Sequence, residues 1–178
     1  MPHFIAEASS DADYRAFADL VREYWQWLMG RYEQDPGLID KVGDHQGLED
    51  ELNALPRIYG PPEGRTLLVI RDGRVCAGGA YRDLHDRSCE MKRLFVSSSC
   101  QGRGIGRRLC GALISTATRD GFRLMRLDTG YLNTEATRMY ESMGFRPCAP
   151  FHDYPPELLP YLRFMDKPLA TAPLDQGP

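Results

Sequence analysis

A glycine-rich segment flanked by arginines is the part of the 178-residue sequence that most directly indicates chemistry. Residues 101–106 read Gln-Gly-Arg-Gly-Ile-Gly. A strand pattern ends before this segment and a helical pattern follows it, so free backbone N–H groups should converge there at a helix N-terminus. Because glycine lets an anion approach the main chain closely, we predict a pyrophosphate site. Arg103, Arg107 and Arg108 would add positive charge to it.

The spacing of these glycines narrows the choice of ligand. The segment has the pattern G-x-G-x-G, whereas dinucleotide-binding folds carry G-x-G-x-x-G in a strand–turn–helix unit. It also lacks the Lys-Ser/Thr ending of the phosphate-binding loop of nucleotidases. Taken alone, the segment would also fit a glycine-rich turn that binds no ligand.

A family resemblance adds to this interpretation. Residues 101–106, which follow the strand end at 94–96, resemble the acyl-CoA signature Q/R-x-x-G-x-G/A of the GNAT superfamily of N-acetyltransferases. Residues 133–145 resemble the N-x-x-A-x-x-x-Y-x-x-x-G-F helix that closes the acetyl-CoA site in that family. The resemblance is close across residues 90–145, and the predicted order of elements fits the same fold.

This resemblance implies how acetyl-CoA is held. In the family fold, the strand ending at Val96 splays away from the parallel strand at 124–128, and the pantetheine amides bind along its exposed backbone. The Val96 N–H then stabilises negative charge on the thioester carbonyl oxygen. The main-chain amides of residues 101–106 hold the pyrophosphate. The implied acyl-CoA contacts are Leu94, Phe95, Val96, Gln101, Gly102, Arg103, Gly104, Ile105, Gly106, Arg107, Asn133 and Tyr140.

Two residues of the second block receive specific roles. By resemblance, Tyr140 is the general acid that protonates the thiolate leaving group. The alternative is that Tyr140 only packs on the apolar face of its helix. Asn133 is expected to cap that helix and, by resemblance, to contact the pantetheine arm.

The proton acceptor for the attacking amine is a separate question, because a lysine-like amine has a pKa near ~10.4 and is protonated at neutral pH. Alternation along the strand predicts that four side chains share one face: Glu90, Lys92, Leu94 and Val96. Some GNAT enzymes resembling this segment use a glutamate at this place, which makes Glu90 the candidate base. The alternative is a solvated carboxylate paired with Lys92. Arg93 is expected on the opposite face, and weaker candidates for the base are Tyr81, Asp128 and His85.

The N-terminal half should contain a short strand, helices and a hairpin. Ser10 and Asp13 have the spacing of a capping box before a long amphipathic helix. A shorter helix is predicted at 48–55. Asp72-Gly73 indicates a hairpin turn, and Gly78 and Gly79 suggest a bulge or a close backbone approach in the second hairpin strand. The predicted strands of this half are 4–6, 66–70, 75–81 and 89–96.

The C-terminal half should contain a crossover, which implies a parallel strand pair. A helix at 105–119 precedes a strand at 124–128, a helix around 136–143 and two closing strands, the later one around 161–165. The predicted fold class is therefore α/β with a mixed sheet: antiparallel N-terminal strands, a splayed parallel pair and flanking helices. We predict a single N-acetyltransferase domain at 1–168 and a C-terminal tail at 169–178.

Composition excludes several classes of partner. The formal charge is −3, so no broad field attracts nucleic acid or an anionic membrane. No apolar run reaches the ~20 residues of a membrane span, and the N-terminus lacks signal-peptide features, so we expect a cytoplasmic protein. The five cysteines are expected to be buried or partly buried free thiols, and the scattered histidines predict no metal site.

The predicted activity is transfer of an acetyl group from acetyl-CoA to a primary amine by direct attack in a ternary complex. The acceptor would be a small molecule or a peptide, bound between the N-terminal helices and residues 151–161. The residues expected there are Tyr24, Trp25, Asp153, Tyr154, Glu157 and Tyr161. The alternatives are a non-catalytic CoA-binding regulatory module and a nucleotide-binding protein of another fold. The sequence is compatible with a homodimer and does not fix the oligomeric state.

Overall fold

A seven-stranded mixed sheet forms the centre of the protein, for which a computed structural model describes residues 3–35 and 37–170. The strands lie in the order β1-β2-β3-β4-β5-β7-β6, and β4 and β5 are parallel while the other neighbours are antiparallel. Their bounds are β1 His3–Glu7, β2 Gly64–Arg71, β3 Arg74–Asp83, β4 Ser88–Val96, β5 Leu124–Gly130, β6 Arg146–Pro147 and β7 Leu162–Pro168. The predicted mixed α/β sheet is confirmed.

Helices cover both faces of this sheet. The bounds are α1 Asp11–Arg31, α2 Leu38–Gln46, α3 Leu48–Asn53, α4 Leu55–Tyr59, α5 Ile105–Arg119 and α6 Thr134–Ser142, with short 3-10 turns at Ser98–Cys100 and Leu159–Tyr161. Leu109 and Leu113 of α5 are fully buried against one face of the sheet. Phe17 of α1 and Tyr59 of α4 are fully buried in the other core, with ring centroids 6.5 Å apart.

The helix α1 begins as its sequence predicts. The Ser10 hydroxyl accepts a hydrogen bond from the Asp13 N–H (3.2 Å), and the Asp13 carboxylate accepts one from the Ser10 N–H (3.0 Å). This reciprocal pair is a capping box, which satisfies two N–H groups that the first helical turn leaves without partners. The single helix predicted at 48–55 is instead two helices, α3 and α4, and α2 was not predicted.

The two glycines in β3 mark close approaches, as predicted. A Cβ atom on Gly78 would lie 2.9 Å from Phe17 Cδ2, and one on Gly79 would lie 3.0 Å from Leu113 Cδ1. Helices α1 and α5 therefore press on opposite faces of the same strand. The pairing of β3 with β4 also shifts register between Gly78 and Ala80, but the extra residue belongs to β4, because two residues of β4 lie there opposite the single Gly79.

The C-terminal strand β7 ends at Pro168, and Leu169, which follows it, still packs into the core. Leu169 is buried, and its N–H donates to the Arg123 carbonyl (2.9 Å). The division into a domain at 1–168 and a tail at 169–178 stays a prediction, and residues 171–178 lie outside the described residues. All five cysteines are free, and only Cys148 among them is not buried, as expected. No helix within 3–35 or 37–170 is both long and apolar enough to cross a membrane.

Candidate active site

The parallel strands β4 and β5 separate soon after they begin. Residues 88–90 of β4 pair with residues 124–126 of β5, and the pairing then stops. Beyond that point β4 stays paired with β3, and β5 stays paired with β7 along its whole length. A cavity of about 440 Å³ opens where the two strands diverge. The splayed pair that the sequence predicted is therefore confirmed.

Because of a bulge at Arg93, the side chains at the end of β4 point to the opposite face of the sheet from the one that the sequence predicts. Arg93 has φ 58°, and its insertion places Phe95 opposite Gly78 while Lys92 lies opposite Ala80. Residues directly opposite in antiparallel strands share a face, so Lys92 and Phe95 face the same way. Leu94 and Val96 pack instead against the core beneath α5. The prediction that these two side chains share a face with Glu90 and Lys92 is therefore wrong, because a bulge resets the alternation.

Arg93 lies on the same side of the sheet as Lys92, which corrects the prediction of the opposite face. Its guanidinium forms two hydrogen bonds with Glu51 of α3 (2.8 and 2.7 Å) and lies 5.4 Å from the ring centroid of Trp25. Both charged side chains are buried. Burial alone would raise the pKa of Glu51, but the hydrogen bonds and charge of Arg93, the charge of Lys92 and a hydrogen bond from Tyr59 together lower that pKa. The ion pair ties α3 to the bulge.

The backbone of Val96 faces the gap between the strands. The Ser97 N–H donates to the Cys76 carbonyl (2.9 Å), so the adjacent residue, Val96, turns its own backbone groups away from β3. The Gln101 side-chain amide donates to the Val96 carbonyl (2.9 Å). The Val96 N–H points to the same side and is positioned to donate to a ligand in the gap.

The glycine-rich loop ends as the N-terminus of α5. Gly102 and Gly104 have φ of 74° and 71°, a left-handed conformation that favours glycine. Gly104 occupies the N-cap and offers no side chain to the N–H groups of the first helical turn, which remain available to an anion. Arg107 donates to the Ser142 hydroxyl, whereas Arg108 contacts His3 (2.8 Å). These two arginines are therefore held by neighbouring side chains.

The cavity brings together part of the predicted acyl-CoA set. The predicted residues that line it are Leu94, Phe95, Val96, Gln101, Gly106, Asn133 and Tyr140. Those that do not are Gly102, Arg103, Gly104, Ile105 and Arg107. Ile105 is buried in the core beneath α5, so only its main chain is suited to a ligand contact.

Tyr140 and Asn133 both present polar atoms without partners. Burial raises the pKa of Tyr140 well above its ordinary value, and its hydroxyl forms no hydrogen bond within the described chain. Asn133 occupies the N-cap of α6, but its side chain does not cap the helix, which corrects that prediction. The Asn133 amide instead donates to Thr129 (3.3 Å), and its buried Oδ1 has no partner among the described residues. That oxygen fits an amide N–H of a pantetheine arm.

Glu90 is fully buried in a cluster of charges and does not line the cavity. Its carboxylate contacts Arg82 (2.7 Å), His152 (2.8 Å) and, at 3.4 Å, Lys92. Burial alone would raise the pKa of Glu90, but Lys92, His152 and Arg82 together hold that pKa well below its ordinary value. Glu90 is therefore neither the solvated carboxylate nor the cavity-facing group that the sequence allowed.

Of the other base candidates, Asp128 alone lines the cavity. Its carboxylate accepts a hydrogen bond from the Tyr154 hydroxyl (3.0 Å) and lies 3.4 Å from Lys92 Nζ. Tyr81 is buried elsewhere and donates to Asp120 (2.5 Å), and burial raises its pKa. His85 is exposed in the turn between β3 and β4, where its ring lies 3.6 Å from Asp83.

Helices α1 and α2 form the remaining wall of the cavity. Among the predicted acceptor residues, Tyr24, Trp25 and Tyr161 line it, while Tyr154 lies behind Asp128, and neither Asp153 nor Glu157 lines it. Sequence reasoning missed several lining residues: Arg31, Leu38, Ile39, Val42, Gln46 and Lys92. The helical spacing of the three aliphatic residues at 38, 39 and 42 was the available signal for the α2 part of this wall.

Comparison with known proteins gives a family assignment. Residues 16–145 match the model of the acetyltransferase (GNAT) family. An N-acetyltransferase of Schizosaccharomyces pombe is 35% identical over 122 residues, which cover 66% of this chain and 74% of that protein.

Solved structures agree with this assignment. A GNAT-family acetyltransferase of Staphylococcus aureus superposes with a TM-score of 0.70 at 17% identity, covering 95% of this chain and 100% of the other. The PaiA N-acetyltransferase of Thermoplasma acidophilum, solved in complex with coenzyme A, has a TM-score of 0.68 at 18% identity over 94% of this chain and 99% of that one. The family match, the similar fold and the splayed strands agree: this chain belongs to the GNAT family and is an N-acetyltransferase.

Proposed function

We propose that this N-acetyltransferase transfers an acetyl group from acetyl-CoA to a primary amine, by direct attack in a ternary complex. The observation that carries the proposal is that one cavity is lined both by Val96 and Tyr140 of the acyl-CoA motifs and by Trp25 and Tyr161 of the aromatic wall. Both substrates can therefore meet in one space. None of the five cysteines lines the cavity, which agrees with a route that needs no acyl-cysteine.

Acetyl-CoA supplies the activated acetyl thioester, and the residues present fit it. The unpaired Asn133 Oδ1 offers an acceptor for an amide N–H, and the first turn of α5 offers N–H donors for the pyrophosphate. The Val96 N–H would stabilise negative charge on the thioester carbonyl oxygen. Left-handed Gly102 and Gly104 keep the loop free of side chains at two positions where it would contact phosphate oxygens.

Tyr140 is proposed to protonate the leaving thiolate. Its hydroxyl belongs to a residue that lines the cavity, and its raised pKa keeps the proton on the oxygen at neutral pH. A protonated phenol without a competing acceptor is suited to donate to a sulfur anion.

We propose Asp128, rather than Glu90, as the group that accepts the amine proton, directly or through water. Asp128 lines the cavity, whereas Glu90 is buried behind Lys92 and its lowered pKa makes it a weak proton acceptor. Asp128→Asn is expected to lower kcat by about 100-fold, the usual contribution of a general base, and Glu90→Gln by much less. Steady-state assays of thiol release at saturating acetyl-CoA measure kcat for both variants. A larger loss in Glu90→Gln than in Asp128→Asn, with both variants folded by circular dichroism, would return the role to Glu90.

A ligand panel followed by an amine library tests the overall function. CoA and acetyl-CoA should raise the melting temperature, while ATP and NAD should not, because a ligand that binds the folded state stabilises it. Thiol release from acetyl-CoA should then depend on an added primary amine. Stabilisation by CoA without thiol release for any amine would contradict catalysis, and stabilisation by ATP or NAD alone would contradict the acyl-CoA site.

A further inference from the structure

Helices α1 and α2 form the wall of the cavity where the amine acceptor is proposed to bind, which we call the acceptor wall. Two buried polar atoms without hydrogen-bond partners belong to it. Within the described chain, Trp25 Nε1 and Gln46 Oε1 are shielded from solvent and form no hydrogen bond, and both residues line the cavity. Buried polar groups in native proteins are nearly always paired, so an unpaired donor and an unpaired acceptor beside one cavity call for an explanation. A ligand that pairs both atoms supplies one.

The orientation of the Gln46 amide follows from its neighbours. The Tyr154 hydroxyl has a single proton, which it donates to Asp128 Oδ2 (3.0 Å) because a carboxylate can only accept. The Tyr154 oxygen must therefore accept, and it does so from Gln46 Nε2 (2.9 Å). This assignment leaves Gln46 Oε1 as a free acceptor and links it, through Tyr154, to the proposed base Asp128.

The indole of Trp25 is held in place by groups that do not use its N–H. Arg93 lies over the ring but spends its hydrogen bonds on Glu51. On the α2 side, a Cβ atom at Gly43 would lie 3.6 Å from Trp25 Cζ3, so α2 abuts the edge of the ring remote from Nε1. The same face of α2 carries Gln46, one helical turn away. Trp25 therefore contacts α2 within one helical turn of Gln46, and both residues line the cavity.

We infer that the acceptor is a primary amine of amino-acid type, with a carbonyl or carboxylate oxygen near its nitrogen. The inference rests on the proposed function. The amine N–H donates to Gln46 Oε1 and the oxygen accepts from Trp25 Nε1. Leu38, Ile39 and Val42 of α2 line the same wall, so an apolar side chain fits the remaining space.

Three amines that share one side chain test this assignment: leucine, leucinamide and 3-methylbutylamine, which lacks the oxygen. In the full-length protein, kcat/KM for the better oxygen-bearing amine should exceed that for 3-methylbutylamine by about tenfold or more, the worth of one well-placed hydrogen bond. Comparing kcat/KM for leucine and leucinamide shows whether the site prefers a charged carboxylate oxygen or a neutral carbonyl oxygen. Trp25→Phe should lower this ratio by about tenfold.

Trp27→Phe is the matched control, since Trp27 also lines the cavity but its N–H is not among the buried unpaired atoms. That variant should keep the ratio of the wild type, whatever it does to the absolute rates. Because the ratios compare the same amines between variants, differences in amine basicity cancel. An unchanged ratio in Trp25→Phe would overturn the assignment of Trp25, and equal kcat/KM for all three amines in the wild type would overturn the substrate class.

Gln46→Leu provides a second test that does not depend on the folding of Trp25→Phe. It should raise KM for all three amines by about tenfold without changing the affinity for CoA, because it removes the partner of the amine common to them. Unchanged KM values would overturn the role of Gln46.

Binding measurements separate this inference from the proposed function. Calorimetric titration of each amine into the CoA complex reports recognition without turnover. Oxygen-dependent binding without thiol release would contradict the function and leave the inference standing. Thiol release with no preference for the oxygen would contradict the inference and leave the function standing.

Discussion

Main-chain groups form much of the acyl-CoA half of the cavity, whereas side chains form the acceptor half. On the proposed acyl-CoA side, the Val96 backbone and the first turn of α5 would provide the donors, and Gly104 places no side chain at the helix N-terminus. On the acceptor side, aromatic rings and the buried Glu51–Arg93 pair define the wall. Substitutions can therefore alter acceptor choice while the geometry that holds the thioester stays intact. The comparison teaches that cofactor affinity and acceptor affinity should be separable by mutation.

The largest expected effect separates chemistry from binding within the acyl-CoA half. Tyr140→Phe should lower kcat by about 100-fold, because it removes the proposed general acid, and leave the Kd of CoA nearly unchanged. Because burial raises the pKa of Tyr140, kcat should show no decline from its ionisation up to the ordinary phenol pKa of about 10. Initial rates across pH and calorimetric titration of CoA measure these quantities. Parallel losses in kcat and CoA affinity would indicate that Tyr140 serves packing.

Loss of the buried ion pair should affect the acceptor half alone. Glu51→Gln leaves Arg93 without its charged partner and should lower the free energy of unfolding by about 3 kcal/mol. It should also raise the KM of the amine and leave CoA affinity unchanged, because α3 loses its tie to the bulge. Urea unfolding and steady-state kinetics report the two effects.

Asp19→Asn is the matched control for that substitution, since it removes an exposed ion pair with Arg22 on α1. Exposed pairs contribute at most about 1 kcal/mol, so its unfolding curve should nearly overlay the wild type. A similar decrease in the free energy of unfolding in both variants would mean that the buried Glu51–Arg93 pair stabilises the fold no more than an exposed pair does.

A backbone substitution should affect the acyl-CoA half alone. Gly104→Val forces a β-branched residue into the left-handed conformation at ~1–2 kcal/mol, and should raise the Kd of CoA by about tenfold. Amine KM should change little. Gly111→Ala in the same helix is the control, because its Cβ would meet only Met143 Cε at 3.9 Å and the affinity should hold. Equal effects of the two variants on CoA binding would contradict the conformational argument.

The smallest effect concerns the start of the helix that carries the acceptor wall. Ser10→Ala removes the capping box and should lower the free energy of unfolding by about 1 kcal/mol. The affinities for CoA and for the amine should both stay unchanged, since Ser10 does not line the cavity. Ser9→Ala, which keeps the Asp13–Ser10 pair, should leave the unfolding midpoint in place. A change in the KM of the amine for Ser10→Ala would show that the capping box also positions the residues of α1 that line the cavity.

Local patterns predicted the elements that depend on local interactions. The bounds of α5 and the capping box of α1 agree with the sequence, because periodicity and capping act within a few residues. Helix α2 was missed because its N-cap, Gly37, is left-handed and offers no side-chain cap. The bulge at Arg93 was also missed, since an arginine at φ 58° has no signature in the residues around it.

The proton acceptor required information that no local pattern holds. Glu90 looked accessible as a strand residue, but Arg82 from β3 and His152 from a distant loop enclose it. Asp128 became the better candidate only because β5 diverges from β4 and exposes it to the cavity.

The order of amino acids alone indicated the family and predicted the acyl-CoA half of the site, because closely spaced glycines and one helix motif are local patterns. Folding decided which side chains face the substrates. The Arg93 bulge, the Glu51 ion pair and the meeting of Trp25 with α2 join residues far apart in the chain. Such contacts depend on how helices pack against the sheet, and that packing is a property of the whole core.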